Sequence, residues 1–295
     1  MNIQIMSGVT GCLSFKINLC RDAREPMQPI QVDYVMQLEK PKVLQVKGLS
    51  LTIGGVQALS SISFDLYENE LLAIIGPNGA GKTCLLNCIN GFYSPQNGSV
   101  RFEGKEIIKM PTHRIAELGI ARVFQGIQLY GGLDTVGNLM AARHSRIRYN
   151  MLLEFLFVGK VRTEECKHRK AVEDIIDFLD LQPIRKQKAE TLPYGQQKRV
   201  DLGRALALQP KLLLLDEPMA GMNTEEKEDI ARFIIDISAV MRIPIIMIEH
   251  DMGVVMDIAH RIVVLDFGQK IAEGPPALIK VDPKVIAAYL GKPEA

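Results

Sequence analysis

One eight-residue segment constrains the fold of this 295-residue chain more than any other feature. It matches the pattern G-x-x-x-x-G-K-S/T at every fixed position and reads Gly76, Pro77, Asn78, Gly79, Ala80, Gly81, Lys82 and Thr83. The apolar run Leu71–Ile75 comes before it, and residues 85–89 continue after it with a helical pattern. This strand–loop–helix order is the setting in which the pattern forms a phosphate-binding loop. The segment therefore predicts an α/β fold with a nucleotide site.

The residue types of this loop suit the phosphates of a nucleotide. Glycines permit a tight path and a close approach of the backbone, and successive N–H groups at a helix N-terminus attract phosphate oxygens. We expect Lys82 to reach the β- and γ-phosphates and the Thr83 hydroxyl to bind Mg²⁺. The loop alone indicates only a nucleotide, because it would equally fit a kinase, a GTPase or a motor protein.

Acidic residues follow a second apolar strand. The run Leu212–Leu215 precedes Asp216 and Glu217, and His250 follows a third strand at 243–248. The carboxyl ends of parallel strands meet at the edge where ligands bind. We expect Asp216 to bind Mg²⁺, Glu217 to polarise the attacking water, and His250 to contact the γ-phosphate. Alone, these residues would indicate a solvated turn and a structural histidine. The phosphate-binding loop makes the functional interpretation the better one.

Composition excludes several classes of protein. The chain has 35 basic and 34 acidic side chains and a net charge of +1, so bulk charge gives no reason to expect a nucleic-acid partner. No run approaches the roughly 18 apolar residues that a membrane span needs. The first residues lack the basic and apolar regions of a signal peptide, which predicts a cytoplasmic protein. Cys84 and Cys88 are interpreted as packing residues, because no second His or Cys pair would complete a metal site.

The chain divides into parts with different patterns. Residues 1–41 mix Gly, Pro, Asn and Gln without a sustained period and are interpreted as a loose extension. A start of translation at Met27 or Met36 is an alternative that N-terminal sequencing of the native protein would test. From residue 42 onwards, apolar strands alternate with helical segments, which predicts a parallel sheet covered on both faces. Residues 162–181 have helical spacing and predict a helical insertion.

Four further motifs resemble those of ABC ATPases. The segment 192–197 is similar to the family's signature, L-S-G-G-Q or L-S-Y-G-Q, and Gln125 matches the family's Q-loop. Residues 218–223 resemble the D-loop and His250 the switch histidine. The motifs follow the family's order, and the resemblance covers about residues 43–291.

The resemblance implies an α/β fold of the P-loop NTPase (RecA-like) type. Such a fold has a parallel-sheet core, an antiparallel β edge region and an inserted α-helical subdomain. We expect one ABC ATPase domain over residues 42–291. Its expected parts are a core at 42–125 and 204–275, a helical subdomain at about 126–203, and a C-terminal helical tail at 276–291.

The resemblance also implies a mechanism in which two subunits close head to tail around two ATP molecules. The expected nucleotide contacts from the opposite subunit are Leu192, Tyr194, Gly195 and Gln196. Gln125 is expected to sense Mg²⁺ and the attacking water and to connect the site to a membrane permease. The second ATPase subunit would be identical or related, and a periplasmic or extracellular solute-binding protein would act indirectly. An isolated monomer should be nearly inactive, and the protein should be peripheral on the cytoplasmic face of the plasma membrane.

Within this family the chain is most similar to the ATPase subunits of branched-chain amino-acid importers. The similarity rests on the segments 87–93, 249–252 and 286–291 and on the length of the segment 143–169. An importer of urea or amides remains an alternative. A lipopolysaccharide exporter is disfavoured, since such ATPases are more compact near residues 144–165. A soluble ABC protein of translation or DNA repair is disfavoured too, because the chain has one phosphate loop and no long coiled coil.

The apolar segment Met151–Val158 has two interpretations. It could form a docking surface on the helical subdomain, or it could be local helical core, which we favour. Phe155→Glu and Phe157→Glu variants that fold and still bind a permease would exclude the docking interpretation.

Two positions depart from the family's pattern. Pro193 stands where the signature usually has Ser, so a hydroxyl and an N–H group are both missing. Ile53 stands where these ATPases usually place an aromatic ring under the adenine. Ile53 and Val56 would offer apolar contact without ring stacking.

Weak recognition of the base should be measurable. We expect GTP to compete with ATP for the site, because Ile53 and Val56 offer only apolar contact and no ring to stack on the base. A competition titration with the two nucleotides tests this prediction, and a strict preference for ATP would contradict it.

Overall fold

The computed structural model describes residues 40–143 and 160–290, with side chains described at 40–143 and 165–289. Almost all of the predicted extension and the whole segment Met151–Val158 lie outside the described residues.

The described residues contain ten strands, which form two sheets. In chain order the strands are β1 (Lys42–Ile53), β2 (Val56–Tyr67), β3 (Leu71–Ile75), β4 (Asn97–Phe102), β5 (Lys105–Glu106), β6 (Ile120–Val123), β7 (Leu212–Asp216), β8 (Ile245–Ile248), β9 (Arg261–Asp266) and β10 (Gln269–Gly274).

The described helices lie between and after these strands. They are α1 (Lys82–Ile89), α2 (Thr112–Leu118), α3 (Thr135–Arg143), α4 (Lys160–Phe178), α5 (Tyr194–Ala207), α6 (Thr224–Ala239), α7 (Met252–Ile258), α8 (Pro276–Ile279) and α9 (Pro283–Leu290), with 3₁₀ turns at Gln182–Ile184 and Ala189–Thr191.

The larger sheet has the strand order β10-β9-β3-β8-β7-β6, and all its neighbours run parallel except β10, which is antiparallel to β9. Strands β3, β7 and β8 are buried at every position, as expected for apolar strands covered on both faces. The smaller sheet, β2-β1-β4-β5, is antiparallel throughout. The α/β class with a parallel core and an antiparallel β region is therefore confirmed.

The core lies on both faces of the larger sheet. Alternate side chains of a strand point to opposite faces, so Leu71, Ala73 and Ile75 belong to one cluster, and Leu72 and Ile74 belong to the other. The first cluster includes buried residues of α3 to α7, and the second includes α1 and the smaller sheet. Each face of the sheet is thus covered by a different part of the chain.

Helices α3, α4 and α5 pack against one another, in the region where the sequence predicts a helical insertion. Arg143 at the end of α3 is buried and links the other two helices. Its Nε atom donates to His168 Nδ1 at 3.0 Å, and its Nη1 atom donates to the carbonyl of Ala207 at 3.0 Å. Helix α5 runs without a break past residue 203, where the predicted subdomain ends. In the part of the chain that the structure describes, no helix is both long and apolar enough to cross a membrane.

Arg261 joins the two sheets through a buried ion pair. Its side chain is 1% exposed, and Nε and Nη2 donate to the two carboxylate oxygens of Glu70 at 2.7 and 2.9 Å. Nη2 also donates to the carbonyl of Asp65 in β2 at 2.5 Å, and Nη1 pairs with Glu273 in β10. Glu70 is fully buried. One guanidinium thus holds β2, β9, β10 and the start of β3 together.

Removal of this guanidinium should destabilise the fold. We expect Arg261→Met to lower the free energy of unfolding by about 3–5 kcal/mol, because Glu70 would remain buried without its counter-charge. Urea denaturation measures the loss. Arg232→Met is the control, since the Arg232 side chain is 57% exposed and its ion pairs should contribute less than about 1 kcal/mol. Equal losses in the two variants would contradict the prediction, and adding Glu70→Gln should recover part of the Arg261→Met loss.

Candidate nucleotide-binding and hydrolysis site

The loop between β3 and α1 has a backbone shape that glycine makes possible. Gly76, Gly79 and Gly81 have φ angles of 149°, 80° and 95°, which lie in the region that L-residues rarely adopt. A Cβ atom at Gly76 would lie 2.0 Å from the carbonyl oxygen of Leu265, and one at Gly81 would lie 2.5 Å from that of Ala58. Any larger residue at these two positions would displace the loop from the sheet.

Lys82 lies inside this loop. Its Nζ atom donates to the carbonyl oxygens of Gly76 and Pro77 at 2.7 and 2.9 Å. Burial lowers the pKa of Lys82 below the usual lysine value, whereas the carboxylates of Glu217 and Asp216 oppose that shift. Helix α1 begins at Lys82 without a side-chain cap, which leaves its first N–H groups available to an anion. The loop therefore combines an amine with a helix N-terminus.

A cleft of about 380 Å³ lies over the loop. Residues predicted for the site form most of its wall, and the full lining is Val56, Gln57, Ala58, Asn78, Gly79, Ala80, Gly81, Lys82, Thr83, Cys84, Glu217, His250 and Phe267. Ile53 pairs with Val56 across the β1–β2 hairpin but does not line the cleft. Gly76 and Pro77 accept the two hydrogen bonds from Lys82 and are likewise not in the wall.

Glu217 is held between two other predicted catalytic residues. Its Oε2 atom accepts a hydrogen bond from Gln125 Nε2 at 2.8 Å, and its Oε1 atom lies 2.5 Å from His250 Nε2. The backbone of Glu217 has a φ of 51°, and its N–H donates to the carbonyl of Ile248 at 3.0 Å. A non-glycine residue in this conformation needs support from its surroundings, as strained residues at functional sites often have. The loops after β6, β7 and β8 thus position one carboxylate.

Asp216 is paired with an arginine that the sequence analysis did not identify. Arg122 Nη2 lies 2.6 Å from Asp216 Oδ2, and both side chains are almost completely buried. Arg122 Nη1 also donates to Asn87 Oδ1 at 2.6 Å, and the guanidinium lies 4.6 Å from the ring centre of Phe124. The available signal was a basic residue inside the otherwise apolar strand β6.

The sequence analysis also did not identify Lys198 and Glu249 as residues of the site. Lys198 is 2% exposed and donates from Nζ to the carbonyl of Gln125 at 2.6 Å. Glu249 is 4% exposed and accepts from the N–H groups of Met219 and His250 at 2.9 and 3.1 Å. Burial lowers the pKa of Lys198 and raises the pKa of Glu249. Both contacts fix backbone beside the catalytic cluster, and a single sequence gives no sign that these charges are buried.

The signature residues lie outside this cleft. Pro193 immediately precedes α5, and Tyr194 is 43% exposed at the first position of the helix. Gly195 is buried, and a Cβ atom there would lie 2.2 Å from a carboxylate oxygen of Glu226. The side chain of Leu192 is buried in the core, so any nucleotide contact from Leu192 would come from its backbone. None of these residues lines the cleft of their own chain.

The predicted magnesium ligands present oxygen atoms, which Mg²⁺ prefers. Thr83 is exposed in the first turn of α1, Asp216 ends β7, and Gln125 is exposed after β6. The described residues contain no group of three or more His, Cys, Asp or Glu side chains that could hold a metal ion by themselves. The set Thr83, Gln125 and Asp216 has one carboxylate, which suits an ion that keeps waters and phosphates as ligands.

Cys88 is buried in the core. Burial raises the pKa of the Cys88 thiol to about 12, which fits the interpretation of this cysteine as a packing residue.

Two family models match parts of this chain. A family model described as ABC transporter matches residues 59–220, which is more than half of the chain. A second model, described as branched-chain amino acid ATP-binding cassette transporter, matches residues 269–295.

The matches to individual relatives extend over almost the whole length of each relative. The high-affinity branched-chain amino acid transport ATP-binding protein BraF of Pseudomonas aeruginosa is 36% identical over 85% of this chain and 98% of its own. The corresponding LivG protein of Escherichia coli K12 is 34% identical with the same coverage. The ADP conformation of MJ1267, described as an ATP-binding cassette of an ABC transporter, is 30% identical over 86% of this chain and 100% of its own, with a TM-score of 0.75. The chain belongs to the ABC transporter family, in the group of ATP-hydrolysing subunits of branched-chain amino acid transporters.

Proposed function

We propose that this subunit binds ATP with Mg²⁺ and hydrolyses it to energise the uptake of branched-chain amino acids through a membrane permease. The observation that carries the proposal is the carboxylate of Glu217, which lines the cleft over the phosphate-binding loop and is held by Gln125 and His250. A carboxylate in that position can orient a water molecule toward a phosphate in the loop.

The residues of the proposed site have separate roles in this reaction. The loop N–H groups and Lys82 would bind the β- and γ-phosphates, so Lys82 would exchange the carbonyls of Gly76 and Pro77 for phosphate oxygens. Bound Mg²⁺ would neutralise charge that develops on the phosphates, and Thr83, Asp216 and Gln125 are its proposed ligands. Glu217 would accept a hydrogen bond from the attacking water and orient it in line with the γ-phosphate, while His250 would contact that phosphate. Gln125 would have to release Glu217 in part when it turns toward the ion and the water.

The active unit is proposed to be a dimer of this chain with itself or with a related ATPase subunit. Residues 192–196 do not line the cleft of their own chain, although Tyr194 and Gln196 are at least partly exposed at the start of α5. A second subunit facing the cleft could bring Tyr194, Gly195 and Gln196 against the γ-phosphate. The N–H groups at the start of α5 suit this contact, since Pro193 supplies no hydroxyl.

The remaining partners are a permease, bound at the cytoplasmic face of the membrane, and a solute-binding protein that acts on the permease from the other side. The match of residues 269–295 to a branched-chain amino acid family model supports this solute over urea, amides or lipopolysaccharide. The relatives named for branched-chain amino acid transport support it independently.

Replacement of the proposed catalytic carboxylate tests the chemistry. We expect Glu217→Gln to bind ATP with an affinity near the native value and to lose about 10²–10⁴-fold in turnover, because the amide cannot act as a base toward water. Nucleotide titration and phosphate release measure the two effects. Glu228→Gln is the matched control, because Glu228 is an exposed residue of α6 outside the cleft, and it should turn over normally. Near-native turnover of Glu217→Gln would exclude the role of Glu217.

The pair of Arg122 and Asp216 tests the position of the ion. We expect Arg122→Met to lower the free energy of unfolding by about 3–5 kcal/mol without nucleotide, because Asp216 would be buried without its ion-pair partner. Mg²⁺ with ATP should recover part of this loss, because the ion would neutralise the same carboxylate. Urea denaturation with and without MgATP measures both values.

A matched control for this test is Arg114→Met, which removes an exposed ion pair with Glu117 and should cost less than about 1 kcal/mol in either condition. A loss in Arg122→Met that stays the same after MgATP is added would contradict a magnesium site at Asp216.

A further inference from the structure

The turn between β9 and β10 exposes a large aromatic side chain. Phe267 is 87% exposed, and no other large apolar side chain in the described part of the chain is more exposed. Its φ angle of 41° lies in the left-handed region, which Asn, Asp or Gly adopt more readily than an aromatic residue. An aromatic residue that is both strained and exposed contributes little to stability, so its presence calls for a functional explanation.

The turn is fixed against the phosphate-binding loop. The N–H of Gly268 donates to the carbonyl of Ala80 at 3.1 Å, and the carbonyl of Gly268 accepts from the N–H of Ser60 at 2.7 Å. Gly268 has a φ of 74°, and a Cβ atom there would lie 2.6 Å from the carbonyl oxygen of Ala58. The close approach that this glycine allows holds the neighbouring Phe267 at the wall of the cleft.

The wall of the cleft contains two kinds of side chain. Lys82, Thr83, Glu217 and His250 are charged or polar and suit phosphates, Mg²⁺ and water. Val56, Ala58 and Phe267 are apolar, and Phe267 is the one Phe, Tyr or Trp side chain among the described residues of the wall. Apolar and aromatic surface is what the face of a nucleobase binds.

We propose that Phe267 packs against the base of the bound nucleotide and supplies the aromatic surface that the β1–β2 hairpin lacks. The inference rests on the proposed nucleotide site. The hairpin contributes Val56 to the wall, whereas Ile53 does not line the cleft. The aromatic ring comes instead from a turn that lies 211 positions after Val56 in the chain. A ring stacks on any purine, so Phe267 would strengthen the binding of ATP and GTP alike.

A fluorescence reporter can be introduced at this position, because the chain contains no tryptophan. In a Glu217→Gln background, we expect the fluorescence of Phe267→Trp to change when ATP or GTP binds, and acrylamide to quench it less. Tripolyphosphate, which offers phosphates without a base, should leave the signal unchanged. Val240→Trp is the control, because Val240 is 71% exposed at the end of α6 and does not line the cleft. An unchanged Phe267→Trp signal at saturating ATP would overturn the proposal.

Affinity measurements separate the contribution of the base to nucleotide binding from that of the phosphates. We expect Phe267→Ala to raise the Kd for ATP and for GTP about tenfold, with the Kd for tripolyphosphate unchanged, as the loss of one base–aromatic contact predicts. Phe267→Tyr should bind ATP like the native protein. The melting temperature of Phe267→Ala should not be lower than that of the native protein, since the native side chain is exposed and its backbone is strained. Native ATP affinity in Phe267→Ala would overturn the proposal.

The nucleotide site itself has an independent control. Lys82→Ala should weaken the binding of both ATP and tripolyphosphate, because it removes the cation of the loop. If Lys82→Ala binds both like the native protein, the proposed phosphate site fails. If Lys82→Ala loses binding and Phe267→Ala does not, the phosphate site stands and only the role of Phe267 fails.

Discussion

The parallel pairing of β3, β8, β7 and β6 is the constraint on which the site depends. Strand β8 pairs in parallel with β3 on one side and with β7 on the other, so that Ile248 is opposite both Ile74 and Asp216. Because the strands point the same way, the loop after β3, the two carboxylates at the end of β7 and His250 after β8 come to one edge of the sheet. Strand β6 adds Gln125 beside them. The chemistry is assembled from separate parts of the chain by backbone hydrogen bonds.

Buried charges then fix the details of this edge. Arg122, Lys198 and Glu249 are each almost fully buried, and each is bonded to a site residue or to its backbone. Ions in such places need good partners to offset their lost hydration, so their geometry is narrowly determined. Gln125 occupies a central position, because its side chain binds Glu217 and its carbonyl binds Lys198 on the helix that begins at the signature. The catalytic carboxylate and the signature helix therefore share one intermediate residue.

Unusual backbone conformations also occur at this edge of the sheet. Glu217 and Phe267 have positive φ angles, and the phosphate-binding loop contains three glycines with positive φ. At these positions the packed structure holds the backbone in conformations that local preference disfavours. The network around Arg261 lies elsewhere, where it holds the two sheets together. One buried ion pair thus joins the two sheets, and another, between Arg122 and Asp216, positions a site residue.

The sequence by itself determined the loop, the strand-end carboxylates, the order of the motifs and the α/β class, because each depends on residues that are adjacent in the chain. Apolar runs such as Leu212–Leu215 are sufficient to indicate strands buried on both faces. The partners of the site residues depended on the tertiary structure, since Arg122 lies 94 positions from Asp216 and Lys198 lies 73 positions from Gln125. Periodicity cannot show whether a charged side chain is buried or which distant group neutralises it. For the same reason, the sequence could not show that Phe267 lies at the wall of the cleft. That position follows from the packing of the β9–β10 turn against the phosphate-binding loop.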